Sequence, residues 1–276
     1  MFSFLLSRLL FHTPGAVLPK HPNVLLAVTT YNHLDITIST IQSILANEDD
    51  FDVMFFDDCS EDGTVHYLQA RGFHVYTHER AVGTTALWNS AFAYALQQQY
   101  DVLVISNNDV LIPTGAIQQL VETLRTTRIG AAVPLTNTVG AGFNPAQAIG
   151  SFAFTNDTAP FRFDADGHFA NHPKNYNLVQ QTVLQLRSKP RIKPPKKKFA
   201  GFFFALRVDD RICHSVGALF DPRLRIFGQE LDLGGRLHKF FGKAAQIVPT
   251  SFVYHYKSVT VSKAGYEVGK WSKEFD

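Results

Sequence analysis

The chain has 276 residues, 45% of them hydrophobic and 18% charged, a balance that supports a large buried core and excludes intrinsic disorder. Formal net charge is only +2, so no overall field draws the protein to nucleic acid. The two cysteines, Cys59 and Cys213, are far apart and form no CxxC pair; neither a zinc site nor a disulfide framework is signalled, and reduced cytosolic thiols are the expectation.

Residues 1–11 are apolar, but Arg8 interrupts them and they fall short of the roughly 20 residues that span a bilayer. They also lack the charged start and small-residue cleavage site of a signal peptide. A short helix packed on the domain is one reading, and peripheral membrane contact the other. Pro14, Gly15, Pro19 and Pro22 mark a linker, so the fold proper is expected from Asn23.

Residues 24–30 (VLLAVTT) form an unbroken apolar run of strand length, the pattern of a strand buried on both faces, and end in Tyr31 and Asn32. Ile36, Ile38, Ile41, Ile44 and Leu45 then recur at helical spacing. A second strand over 51–56 runs into Asp57 and Asp58. A helix over 64–70, closed by Gly72, leads to a third strand over 73–76. Gly83 precedes an amphipathic helix over 84–99 with Leu87, Ala91, Tyr94 and Ala95 on one side. The fourth strand, 102–105, breaks off into Asn107, Asn108 and Asp109.

Four strands alternating with helices predict an α/β fold with a doubly wound, mainly parallel sheet. Right-handed crossovers put the carboxyl ends of such strands on one side, so Asn32, Asp57, Asp58 and Asp109 are expected around one crevice, where open sheets bind ligands. A charge at the edge of an apolar core costs free energy unless paired, and a divalent cation with oxygen ligands is one such partner. Asn107, Asn108 and Asp109 could equally cap the strand and form a turn, and these residues alone leave both open.

The segments 29–32 (TTYN), 57–64 (DDCSEDGT), 83–89 (GTTALWN) and 107–109 (NND) resemble, in order and spacing, the motifs of family 2 glycosyltransferases of the GT-A fold. Segments 131–137 (AAVPLTN), 199–207 (FAGFFFALR), 217–224 (GALFDPRL) and 228–237 (GQELDLGGRL) continue the likeness, and Asn-Asn-Asp in place of the usual Asp-x-Asp resembles the rhamnosyltransferase-like branch. The resemblance implies one GT-A domain: an N-terminal segment and linker over 1–22, a nucleotide-sugar-binding half over 23–135, and an acceptor-binding, catalytic half over 136–276.

It further implies that Thr30, Tyr31, Asn32, Asp57, Asp58, Gly83, Trp88, Asn89, Asn107 and Asn108 serve the nucleotide sugar, with Lys257 and Ser258 adding donors to its phosphates. Asp109 and His255 would hold Mn2+ or Mg2+, both oxygen-seeking ions. Glu230 is the implied general base, and Asp232 would orient its helix or contact the acceptor. The implied reaction is an inverting hexosyl or deoxyhexosyl transfer from a UDP- or dTDP-linked donor to a glycan, glycoconjugate or other hydroxyl acceptor. Such chemistry needs a base for the acceptor hydroxyl, a hold on the departing diphosphate, and alignment of both across the anomeric carbon. The expected setting is cytoplasmic glycan biosynthesis.

Two other functions compete. A nucleotidyltransferase on a similar sheet would want a Gly-rich basic loop after the first strand, and residues 29–33 (TTYNH) are not one. Glu230 counts against a catalytically inactive glycan- or nucleotide-binding module. The one basic run, residues 187–198, is punctuated by prolines and reads as an extended segment, either solvated or in contact with a diphosphate, an anionic acceptor or a membrane surface.

Overall fold

The computed structural model describes residues 22–137, 147, 199–213, 217–224, 228–243 and 245–256. The apolar start, the basic run, and Lys257 and Ser258 lie outside the described residues.

Strand β1 (Val24–Thr30) is buried at every position, as its unbroken apolar run requires. It lies between β2 (Asp52–Asp57) and β4 (Val102–Asn107), and β3 (His74–Thr77) lies outside β2; all three pairings are parallel. The connecting helices are α1 (Leu34–Leu45), α2 (Thr64–Ala70) and α3 (Thr84–Gln97). There follow β5 (Val110–Leu111), α4 (Ala116–Thr126), β6 (Ala131–Thr136), β7 (Phe203–Arg207), α5 (Gln229–Phe241) and β8 (Ala245–His255). The described strands form one sheet in the order β3-β2-β1-β4-β7-β6-β8-β5.

Alternation along the strands divides the core. Leu25, Ala27, Leu103 and Ile105 pack with Leu87 and Ala91 of α3 and Leu233 and Leu237 of α5. Their neighbours Leu26, Val28, Val102 and Val104 pack on the other face with Ile41 of α1, Leu68 of α2, and Ile117 and Leu120 of α4. The doubly wound architecture is thus a direct product of strands apolar at both parities. Among the described residues, no helix is long and apolar enough to cross a membrane.

One expectation needs refinement. The segment 199–207 gives a strand only from Phe203, and that strand runs antiparallel to both β4 and β6 inside the sheet. Val110 and Leu111 likewise form a separate strand, antiparallel to the end of β8. A strand buried on both faces carries the same apolar run whichever way it points, so the residues do not disclose direction.

The reversal positions the site. In register, Thr30 faces Asp57 and Thr29 faces Asn107, and neighbouring strands lie about 4.8 Å apart, so these residues share one ledge. Because β7 runs backwards, with Phe203 opposite Ser106, the residues preceding it enter at that ledge. The Asn107 N–H donates to the Phe202 carbonyl at 2.8 Å. From the far edge, β8 delivers His255 opposite Val110, and the Tyr256 N–H donates to the Asp109 carbonyl at 2.9 Å.

Candidate active site

The carboxylates after β2 do local work first. Asp57 is fully buried; it accepts from the Thr30 hydroxyl at 2.7 Å and from the Ser60 N–H at 2.8 Å, closing the turn that leaves the strand. Asp58 accepts from the Val82 and Gly83 N–H groups at 2.6 and 3.0 Å, which ties the loop before α3 to the end of β2. That tie brings Gly83, whose φ of +87° favours glycine, beside the ledge. Asn32 sits at φ +53°, accepts from the Glu61 N–H through its side-chain oxygen at 2.9 Å, and donates its own N–H to the Ser60 hydroxyl. Tyr31, half-buried, precedes it. Asn108 is buried and donates to the Thr37 hydroxyl at 2.8 Å and the Asn32 carbonyl at 3.3 Å, joining the ends of β1 and β4. Thr30, Asn32, Asp57, Asp58, Gly83, Asn107 and Asn108 are therefore brought together as one bonded rim.

Asp109 differs from its neighbours. The residue is 3% exposed, and among the described residues its Oδ1 has no hydrogen-bond partner although His255 Nε2 lies 3.3 Å away. A buried carboxylate oxygen left without a donor costs free energy, and the adjacent imidazole nitrogen completes an O,N pair. This pair fits a divalent cation of the Mn2+ type. Among the described residues no third His, Cys, Asp or Glu joins it, so such a cation would take its remaining ligands from substrate oxygens and water. The His255 backbone is held on both sides by Asn137, which accepts the His255 N–H at 2.8 Å and donates to its carbonyl at 3.0 Å. The imidazole stacks on Phe202, with centroids 4.1 Å apart and planes inclined by 6°.

Glu230 is the second residue of α5, after Gly228 in a left-handed cap. It is 8% exposed, and its Oε1 accepts from the Gly201 N–H at 3.1 Å. Burial pushes its carboxyl up to about 7, against the opposing pull of the N–H groups of Gly201 and of Glu230 itself. A Cβ on Gly201 would lie 2.6 Å from the Glu230 Cγ and closer still to Oε1, so only glycine admits the carboxylate here. Gly201 precedes Phe202, and Phe202 in turn meets Asn107 and His255. Glu230 thus rests on Gly201, and His255, the partner of Asp109, rests on the adjacent Phe202.

Asp232 turns elsewhere: it pairs with Arg236 at 2.7 Å, and Arg236 also donates to the Ile212 and Leu219 carbonyls. Gln229, also buried, donates to the Thr85 hydroxyl at 2.8 Å and so fastens α5 to α3. Trp88 lies in the core, 5.7 and 5.2 Å from the rings of Phe204 and Phe220. The Asn89 side chain exchanges two hydrogen bonds with the Phe220 backbone, at 2.8 and 3.0 Å. The structure thus sets Trp88 and Asn89 against the chain around Phe220, where the sequence had suggested the donor. Gly201, Phe202 and Asn137 fall within the family-like segments 199–207 and 131–137, but the sequence assigns none of them a part in the catalytic or metal site. A glycine one residue ahead of an aromatic strand was the available signal, but its meaning depends on α5 coming to rest against it.

The model of the family described as glycosyl transferase family 2 matches residues 26–205, more than half of the chain. No curated protein matches it. Among solved structures, a mannosyltransferase from Pyrobaculum calidifontis, in complex with GDP-Man and Mn2+, is similar at 17% identity and TM-score 0.56, covering 94% of this chain and 66% of that one. TarS 1-349 from S. aureus is similar at 12% identity and TM-score 0.55, over 84% of this chain and 60% of that one. Glucosyl-3-phosphoglycerate synthase from Mycobacterium tuberculosis, in complex with Mn2+, UDP and glucosyl-3-phosphoglycerate, is similar at 15% identity and TM-score 0.52, over 88% and 75%. The chain spans less than two thirds of the length of the first two, and at these identities the likeness speaks for the fold. The architecture is the GT-A fold, and the chain belongs to glycosyl transferase family 2.

Proposed function

We propose that the protein is an inverting glycosyltransferase that moves a hexosyl or deoxyhexosyl group from a nucleoside diphosphate sugar to a hydroxyl of a glycan or glycoconjugate. The observation that carries this reading is that Glu230 sits on Gly201 while the His255 of the Asp109–His255 pair sits on the next residue, Phe202, at the carboxyl end of β4. The rim of Thr30, Tyr31, Asn32, Asp57, Asp58, Gly83, Asn107 and Asn108 would receive the nucleoside and diphosphate, UDP or dTDP by family habit. Lys257 and Ser258 would follow His255 toward the phosphates, and the Asn-Asn-Asp segment favours a rhamnosyltransferase-like donor.

In the reaction the acceptor oxygen bonds to the anomeric carbon as the bond from that carbon to the diphosphate oxygen breaks. Glu230 takes the acceptor proton, so the hydroxyl attacks as an alkoxide-like nucleophile. The Gly201 N–H holds Glu230 in place, and the closed wall around it keeps the carboxyl's affinity for a proton near that needed at neutral pH. Asp109 and His255 would hold Mn2+ or Mg2+, which neutralises charge on the departing diphosphate. Asp232 serves this scheme indirectly, by fixing α5 through Arg236.

The test is release of nucleoside diphosphate from a UDP- or dTDP-sugar with water as acceptor. Glu230→Gln is expected to lower turnover at least about 10²-fold, the usual size of a general-base contribution, while nucleotide binding persists. Unchanged turnover in that variant would remove Glu230 from the role of base.

A further inference from the structure

Resting on the reading that Asp109 and His255 hold the cation, we propose that Phe202 is a positioning residue that sets the plane of the His255 imidazole by stacking. Metal-binding histidines ordinarily donate their second ring nitrogen to a carboxylate, a carbonyl or water, and that bond fixes the ring's rotation. Among the described residues His255 lacks it: with Nε2 turned to Asp109, Nδ1 is buried and has no hydrogen-bond partner. Its backbone is held by Asn137 and by pairing with β5, but neither restrains rotation of the side chain about its own bonds.

Against the ring lies Phe202, itself buried, with centroids 4.1 Å apart and ring planes nearly parallel. Stacking of this kind resists tilting of one ring against the other and disfavours rotation that would break the parallel alignment. Phe202 is in turn immobilised at its backbone, since its carbonyl accepts the Asn107 N–H and its neighbour Gly201 is bonded to Glu230. The contact therefore does for His255 what a second hydrogen bond does elsewhere, without competing for a proton.

The experiment is Mn2+ affinity, read from the electron paramagnetic resonance signal of free Mn2+ in the presence of UDP, for wild type, Phe202→Leu and Phe202→Tyr. Thermal unfolding of each variant checks that it is folded. Phe202→Leu keeps most of the volume and loses the plane; Phe202→Tyr keeps both. We expect Phe202→Leu to bind Mn2+ about tenfold more weakly, the lower end of effects seen when a ligand's support is removed, and Phe202→Tyr to stay within about twofold of wild type. Wild-type affinity in Phe202→Leu, or equal losses in both variants, would overturn the proposal, the second because volume rather than ring plane would then be at work. Asp109→Asn and His255→Ala are run alongside. If they bind Mn2+ as wild type does, the assignment of the cation pair fails and this inference with it; if they lose binding while Phe202→Leu does not, only the inference fails.

Discussion

Gly201 and Glu230 show how much of the site depends on a missing methyl group. An alanine at 201 would occupy space now filled by the Glu230 carboxyl, whose side chain must then swing away. Misplacing a catalytic group by about 1 Å costs on the order of 10²-fold, so Gly201→Ala is expected to lower kcat by about that factor. Nucleotide-dependent stabilisation should survive, because the rim proposed to receive the nucleotide is untouched; steady-state kinetics beside thermal shift would show the split. Glu230 also links stability to pH. Its carboxyl is raised from 4.5 to about 7 in the folded protein, so its contribution is fully present below about pH 4.5 and is lost as pH rises through 7. Glu230→Gln cannot ionise. Its stability relative to wild type should therefore improve between pH 5 and 8.5, by at most about 3 kcal/mol at 1.36 kcal/mol per unit, as read by urea unfolding at the two ends. The proposed base must be ionised to work, so kcat/KM should climb over the same interval in which wild-type stability falls. The acids at strand ends were visible in the sequence as polar breaks after apolar runs. Whether each faces a ligand or a neighbour was not, because Asp57 and Asp58 owe their partners to Ser60 and the Val82–Gly83 loop folding over them.

At the level of elements, α4 illustrates support supplied from a distance. Its capping residue is Gly115, which has no side chain to offer the first N–H groups. Asp49, from the loop after α1, accepts from Gly115, Ile117 and Gln118 at 2.6, 3.1 and 3.1 Å. A carboxylate at a helix N-terminus satisfies those donors and meets the positive end of the dipole. Asp49→Ala is expected to cost about 1–2 kcal/mol in urea unfolding, with the donor-hydrolysis rate unchanged at temperatures where the variant is folded. The succession of strands and helices was legible because β1, β2 and β4 are short apolar runs between turn residues, and α1 and α3 repeat at helical spacing. The direction of β7 and the two-residue strand β5 were not, since both depend on pairing with strands far along the chain.

For the molecule as a whole, β1 to β4 with α1 to α3 form a parallel βα array, and the remaining described strands form a mixed sheet that returns residues to the same ledge. A ligand bridging the two stabilises the folded state by mass action, about 2.7 kcal/mol at a hundred times its dissociation constant. A UDP- or dTDP-sugar with Mn2+ should therefore raise the melting temperature above that with either alone, and Asp109→Asn should abolish the Mn2+ increment while sparing the nucleotide's own. Equal shifts with and without Mn2+ in the wild type would detach the cation from the donor. The antiparallel seating of β7 beside β6 has a wider consequence. β6 ends and β7 begins on the same side of the sheet, so Asn137 and Phe202 both arrive at the end that carries Asn107 and His255. A displacement at either strand end is therefore felt at the same place, since Asn137 bonds the His255 backbone and Phe202 stacks on its ring.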